Sequence, residues 1–151
     1  MSSFSSESES VLRKAGWAPG RRVDVSPWIS AMKAAGVATH EAARQFLLEF
    51  GGLIIDISGP GITRAREPFE LDPMQCSGEE ERFLEWGNEI GRSIFPIGIF
   101  DEGRFFLGID EEGEVYVLET WLASFGKFPE ALENLITGVR AVLISRGEGM
   151  V

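Results

Sequence analysis

Nucleophilic catalysis of the Ser–His–Asp or Cys–His kind needs a base within reach of its nucleophile. The chain has one histidine, His40, and one cysteine, Cys76. His40 stands at the expected start of a helix with no nucleophile motif beside it, so a capping or surface role is the one expected. Cys76 falls in a loop without a recognisable partner, and a single cysteine forms no internal disulfide, which suits a reducing compartment. One histidine and one cysteine cannot make the usual zinc sets, and the acidic runs lack the alternating spacing of a calcium loop. Gly59-Pro60-Gly61 is not followed by the Gly-Lys-Ser/Thr of a phosphate loop, and no G-x-G-x-x-G turn joins a strand to a helix. A glycosidase-type carboxylate pair needs one acid in an apolar pocket, which residue order alone does not place. These residue types point away from an enzyme, a resident metal or a cofactor.

What remains is a binding surface. Acidic side chains crowd around two tryptophans: Glu79, Glu80, Glu81, Glu85 and Glu89 near Trp86, then Asp101, Glu102, Asp110, Glu111, Glu112, Glu114 and Glu119 leading to Trp121. Aromatic anchors beside carboxylates are the composition expected where a basic protein docks. Trp86 is expected in the core, whereas core and surface stay open for Trp121. Glu102, Asp110, Glu111, Glu112, Glu114 and Trp121 are the candidate contacts. Net charge is −10 and uneven: residues 1–76 carry nine acidic against eight basic side chains, residues 77–151 fifteen against six. Such a surface repels phosphate backbones and attracts a basic protein, whose association complementary charge can speed by 10–10³-fold.

The elements that must position these residues follow from periodicity. Ser6-Glu7-Ser8-Glu9 has capping-box spacing ahead of Val11-Leu12, after a loose start over residues 1–10. Ser26-Pro27 reads as an N-cap with Pro in the first turn of a second helix. Ala43, Phe46, Leu47 and Phe50 make the apolar stripe of a third helix over residues 39–50, ended by Gly51-Gly52. Short strands are expected at 53–57, 62–65 and 69–72, then a helix at 79–90 buried through Phe83, Trp86, Gly87 and Ile90. Strands at 94–100, 104–109 and 114–118 follow, with Gly113 closing a bulged hairpin. Apolar runs such as Phe105-Phe106 and 115–118 mark strands covered on both faces. A loop holding Trp121 and Phe125-Gly126 leads to a last helix whose stripe runs Leu132, Leu135, Ile136, Val139, Leu143, and residues 147–151 are expected to be loose.

The 151 residues suit one domain, long enough to bury roughly 70% of its unfolded surface. The opening MSSFSSESES lacks the basic start and apolar run of a signal peptide, and the apolar stretches are too short to span a bilayer. A cytoplasmic protein is expected, with no membrane contact.

Four stretches in this order are similar to one known family: AGWAPGRRVD at 15–24, ARQFLLEFGG at 43–52, Trp86-Gly87 with Ile90-Gly91 and Phe95-Pro96-Ile97-Gly98, and GRFFLGIDEEGEVY at 103–116. Over residues 11–139 the chain resembles the SUKH superfamily of bacterial immunity proteins, specifically its third named subgroup. The resemblance implies an α+β fold with helices packed on a curved, mainly antiparallel sheet. It implies that the protein binds and neutralises a cognate toxin, with nucleases among the toxins of the superfamily, and it carries no catalytic residues. A general intracellular adaptor of the same fold is the rival reading, distinguished by whether a toxin gene lies beside this one. A carboxylate hydrolase would instead require a deep pocket with at least two convergent acids.

Overall fold

The computed structural model describes residues 4–147. The chain runs α1 (Ser6–Lys14), α2 (Ser26–Ala34), α3 (Glu41–Phe50), β1 (Ile54–Ile55), β2 (Phe69–Glu70), a 3-10 turn (Pro73–Cys76), α4 (Glu80–Ile90), β3 (Phe95–Phe100), β4 (Phe105–Ile109), β5 (Glu114–Leu118), β6 (Leu122–Lys127), α5 (Glu130–Thr137) and β7 (Val142–Ser145). All strand pairs are antiparallel and follow chain order from β1 to β7, so the fold is α+β with an open meander sheet. Register shifts at Pro96/Gly98, Val115/Tyr116 and Leu122/Ala123 add twist and curve it.

The double cover expected from the apolar runs is present. Strand alternation sends Val115 and Val117 to one face and Tyr116 and Leu118 to the other. The first face carries the larger core, where Leu12 of α1, Met32 of α2, Phe46 and Phe50 of α3 and Leu132 of α5 meet Phe95, Ile97, Leu107 and Phe125. Trp17 stacks on Phe50 with centroids 6.1 Å apart, and Phe46 and Phe128 close on the same ring at 5.4 Å each. On the second face, Phe83 and Trp86 of α4 cover Ile94, Tyr116, Leu118 and Leu122.

Helix ends are held by named side chains. The Ser5 hydroxyl accepts from the Ser8 amide at 3.2 Å, so the cap sits one residue before the expected Ser6. Ser5 also donates from its amide and hydroxyl to Glu133, at 2.9 and 2.7 Å, which ties the expected loose start to α5 from Ser5 onward. Burial alone would raise the Glu133 carboxyl, but these bonds outweigh it and hold it below the ordinary glutamate range. Met1–Ser3, and Glu148–Val151 of the expected loose tail, lie outside the described residues. In α2, Val25 rather than Ser26 takes the cap position, while Asp24 accepts from the Ser26 amide at 3.0 Å. His40 caps α3 as expected, its Nδ1 accepting from the Ala43 amide at 3.1 Å. That acceptor role places the proton on Nε2, which donates to the Ile109 carbonyl at 3.1 Å.

Three expectations are overturned, all near α5. Residues 62–65 form no strand, because the amides of Ile62, Thr63 and Arg64 bond to the Thr137 and Gly138 carbonyls at 2.9–3.1 Å. Those contacts satisfy the end of α5, helped by Arg64, which donates to the Val139 and Leu135 carbonyls at 3.0 and 3.2 Å. The last helix stops at Thr137 instead of reaching Leu143, since Gly138 turns left-handed (φ 77°) and a side chain there would meet Gly61 Cα at 2.7 Å. Val142–Ser145 then becomes the terminal strand. The supposed loop around Phe125 is β6, drawn into the sheet by pairing such as Tyr116↔Ser124 and Val117↔Ala123.

Close approach of α4 to the sheet depends on Gly108, where an added Cβ would meet the Phe83 ring at 3.1 Å and Ile94 at 2.5 Å. Gly108→Ala should therefore destabilise the fold by about 1–3 kcal/mol. Urea unfolding should show a lower midpoint at an unchanged slope; an unchanged midpoint would mean that α4 yields freely.

Candidate functional site

The β4–β5 hairpin holds four of the six candidate contacts, and each is already engaged. Asp110 is fully buried, contrary to its expected surface role. Its Oδ1 accepts from the Glu112 and Glu114 amides at 2.8 and 3.0 Å, and its Oδ2 from the Tyr116 hydroxyl at 2.8 Å. Burial first, and the Asp110 carboxylate second, push the Tyr116 hydroxyl well above its ordinary value. Asp110 is thus the internal fastener of its hairpin. Glu111 accepts from the Ser93 amide at 3.2 Å, and Glu114 from the Ser124 hydroxyl at 2.7 Å. Glu112 bridges Arg92 and, at 3.2 Å, Lys127, and these partners hold its carboxyl below the ordinary range.

Trp86 is buried, as expected, and its indole N–H donates to the Glu119 carbonyl at 3.0 Å. Arg82 joins Glu79 and Glu119, at 3.3 and 2.7 Å, beside an open groove of about 780 Å³ below α4. Trp121 is half-buried, its ring 5.2 Å from that of Phe105. Cys76 is enclosed, and its thiol donates to the Gly98 carbonyl at 3.1 Å. Burial pushes that thiol up to about 12, which removes it from nucleophilic chemistry at neutral pH. Among the described residues no group of three or more His, Cys, Asp or Glu could hold a metal ion. None of the described helices is long and apolar enough to cross a membrane.

Glu102 has a different setting from the hairpin acids. It occupies the β3–β4 turn, at the other end of β4, whose five residues span roughly 17 Å. Asp101 and Glu102 both adopt left-handed backbone (φ 56° and 58°), a conformation that costs a residue with a side chain about 1–2 kcal/mol. Strain of this kind persists where surroundings over-determine it, and it gathers at binding sites. Glu102 lines a groove of about 240 Å³ together with the exposed Ile54, the half-buried Pro68 and Ile99, and the buried Ile55 and Phe69. Asp56 and Glu70 complete the rim. Ile54 is 62% exposed on the edge strand β1, which has no neighbour on its outer side among the described residues. None of Asp56, Glu70 and Glu102 makes a hydrogen bond or ion pair through its carboxylate among the described residues.

Sequence reasoning found Glu102 but missed the groove, because Asp56, Glu70 and Glu102 come from three separate segments. The sequence shows Ile54 only as part of an apolar run, and its exposure is visible in the structure alone.

Beside the groove, Glu67 meets Asp101 between Arg64 and Arg104. Burial, then the charge of Asp101 and the hydrogen bond the two carboxyls share, raise the Glu67 carboxyl above its ordinary value.

A scan against protein-family models matches residues 4–138 to the SUKH-3 immunity protein family. The chain belongs to that family. No curated protein and no solved structure matches it.

The raised Glu67 carboxyl gives a signed pH prediction. A folded value above the unfolded one contributes stability at pH below the ordinary glutamate value, and this is lost as pH rises through the folded value. Glu67→Gln imitates the protonated form, so it should stabilise the protein at neutral pH by less than about 1 kcal/mol, the site being partly open to solvent. Urea titrations across pH 3–8 should show the gain vanish in acid, near the ordinary carboxylate range of about 4.3. A gain that persists in acid would show that the pair does not share a proton.

Proposed function

We propose that the chain neutralises a cognate toxin without catalysis, docking one-to-one through the acid-rimmed groove at β1, β2 and the β3–β4 turn. Membership of an immunity family supports the role. One observation supports this surface: three carboxylates without internal partners line a groove that exposes Ile54, while the hairpin acids are bonded within the protein. Unpaired carboxylates are the ones whose charge remains available to an incoming cation, and an exposed apolar side chain supplies the desolvated centre that tight interfaces need. The partner this groove fits presents an apolar side chain flanked by Lys or Arg. A nuclease toxin, whose active surface must approach polyanions, has that character. Glu111, Glu112, Glu114 and Trp121 fall outside the groove, and Asp110 serves the fold. The complex should bury about 1,200–2,000 Å² and form in the cytoplasm, where such a toxin would otherwise act.

The test is binding to the toxin encoded beside this gene. Charge reversal by Asp56→Arg with Glu102→Arg should slow association at least about tenfold at low salt, and high salt should shrink the difference. Ile54→Asp should instead speed dissociation. A reversed pair that associates normally, with Glu111→Arg and Glu112→Arg abolishing binding, would move the interface to the hairpin. Glu102→Gly should both weaken binding and raise the unfolding free energy by about 1 kcal/mol, as expected if the strained turn is kept for contact.

A further inference from the structure

The opposite edge of the sheet carries a second binding feature. β7 pairs with β6 through Leu122↔Ser145, Ala123↔Leu143 and Ser124↔Val142, and its outer side has no strand partner among the described residues. Val142, Leu143 and Ile144 are 71, 46 and 43% exposed. A consecutive apolar run on an open edge is the arrangement that invites strand addition. Leu143 also borders a slot of about 260 Å³ walled by Phe105, Val117, Trp121 and Phe125, with Arg64 and Arg140 also in its lining.

Charge decides what that strand can be. Arg140 and Arg146 flank the apolar run, both are exposed, and neither guanidinium has a protein partner among the described residues. Two copies joined by a two-fold axis would bury the whole run only with Leu143 facing Leu143. That register brings Arg140 of one copy near Arg146 of the other, just beyond the ends of β7, whose Ile144 is the extra residue of a bulge. In-register parallel pairing brings each arginine near its own copy. Like charges directly opposed across strands are destabilising, so the edge is guarded against its own copies. The guard becomes an attraction for a strand with acidic ends.

We propose that β7 accepts an extended segment of a partner protein, apolar in its centre with Asp or Glu at each end, one apolar side chain filling the slot beside Trp121. Main-chain bonds to β7 supply affinity, and the two arginines select the segment. This inference does not rest on the toxin-docking groove, which lies at the other edge of the seven-stranded sheet.

The probe is a labelled seven-residue peptide of alternating Val and Thr with Glu at both ends, compared with the same peptide ended by Lys. Fluorescence polarisation with the full chain should show the Glu-ended peptide binding about tenfold more tightly. Amide shifts on binding should gather on β6 and β7. The double variant Arg140→Glu with Arg146→Glu should invert the preference. Sedimentation supplies an independent readout: Arg140→Glu alone places opposite charges across the two-fold register and should self-associate, whereas the double variant, like-charged again, should not. Equal affinity for both peptides, no binding of either at millimolar concentration, shifts away from β7, or a wild-type dimer through Leu143 would each overturn the proposal.

Discussion

A sheet with helices on both faces has little left with which to meet another molecule except its edges and turns. In this protein α1, α2, α3 and α5 cover one face and α4 the other, so strand side chains of both parities are buried. Four of the seven large apolar side chains still exposed among the described residues lie on the edge strands, at Ile54 and Val142–Ile144. Ile62, Met74 and Leu84 lie on a loop, the 3-10 turn and α4. The cover on both faces explains why the candidate surfaces are grooves at the sheet margins rather than a cavity inside it.

The net charge of −10 is a poor guide to where that boundary acts. Asp110 is consumed by its own hairpin, where three hydrogen bonds compensate for the loss of solvent. Glu112 is neutralised by Arg92 and Lys127. Burying or pairing an acid reduces its field at a distance, so the densest acidic run in the sequence contributes less outward potential than its composition implies. Asp56, Glu70 and Glu102 around the β1–β2–β3 groove keep theirs, as do Glu81, Glu85 and Glu89 along α4. The two edges differ in sign, with carboxylates around β1 and arginines flanking β7.

Backbone conformation separates support from function in the same way. The left-handed Gly138 carries little strain because it lacks a side chain, and its close contact with Gly61 ends α5 and frees β7. Asp101 and Glu102 adopt similar angles with side chains present. The fold could close that turn more cheaply with glycine, and the conformation it does adopt places Glu102 in the groove lining.

The sequence by itself determined the local matters: the stripe of α3, the cap at His40, the central strands β3 to β5 with their two-sided cover, and the family resemblance that the match over residues 4–138 bears out. Each of these depends on neighbours within one or two turns or one hairpin, so residue order suffices. Tertiary structure decided the rest. Whether residues 62–65 pair as a strand depended on the carbonyl end of a helix over 70 positions later, and the same contact cut α5 short and created β7. Whether an acid faces solvent, a backbone amide or an arginine depended on which segments the sheet brought side by side. Asp110 and Glu102 read alike in the chain, and only their three-dimensional neighbours made one a fastener and the other an open charge.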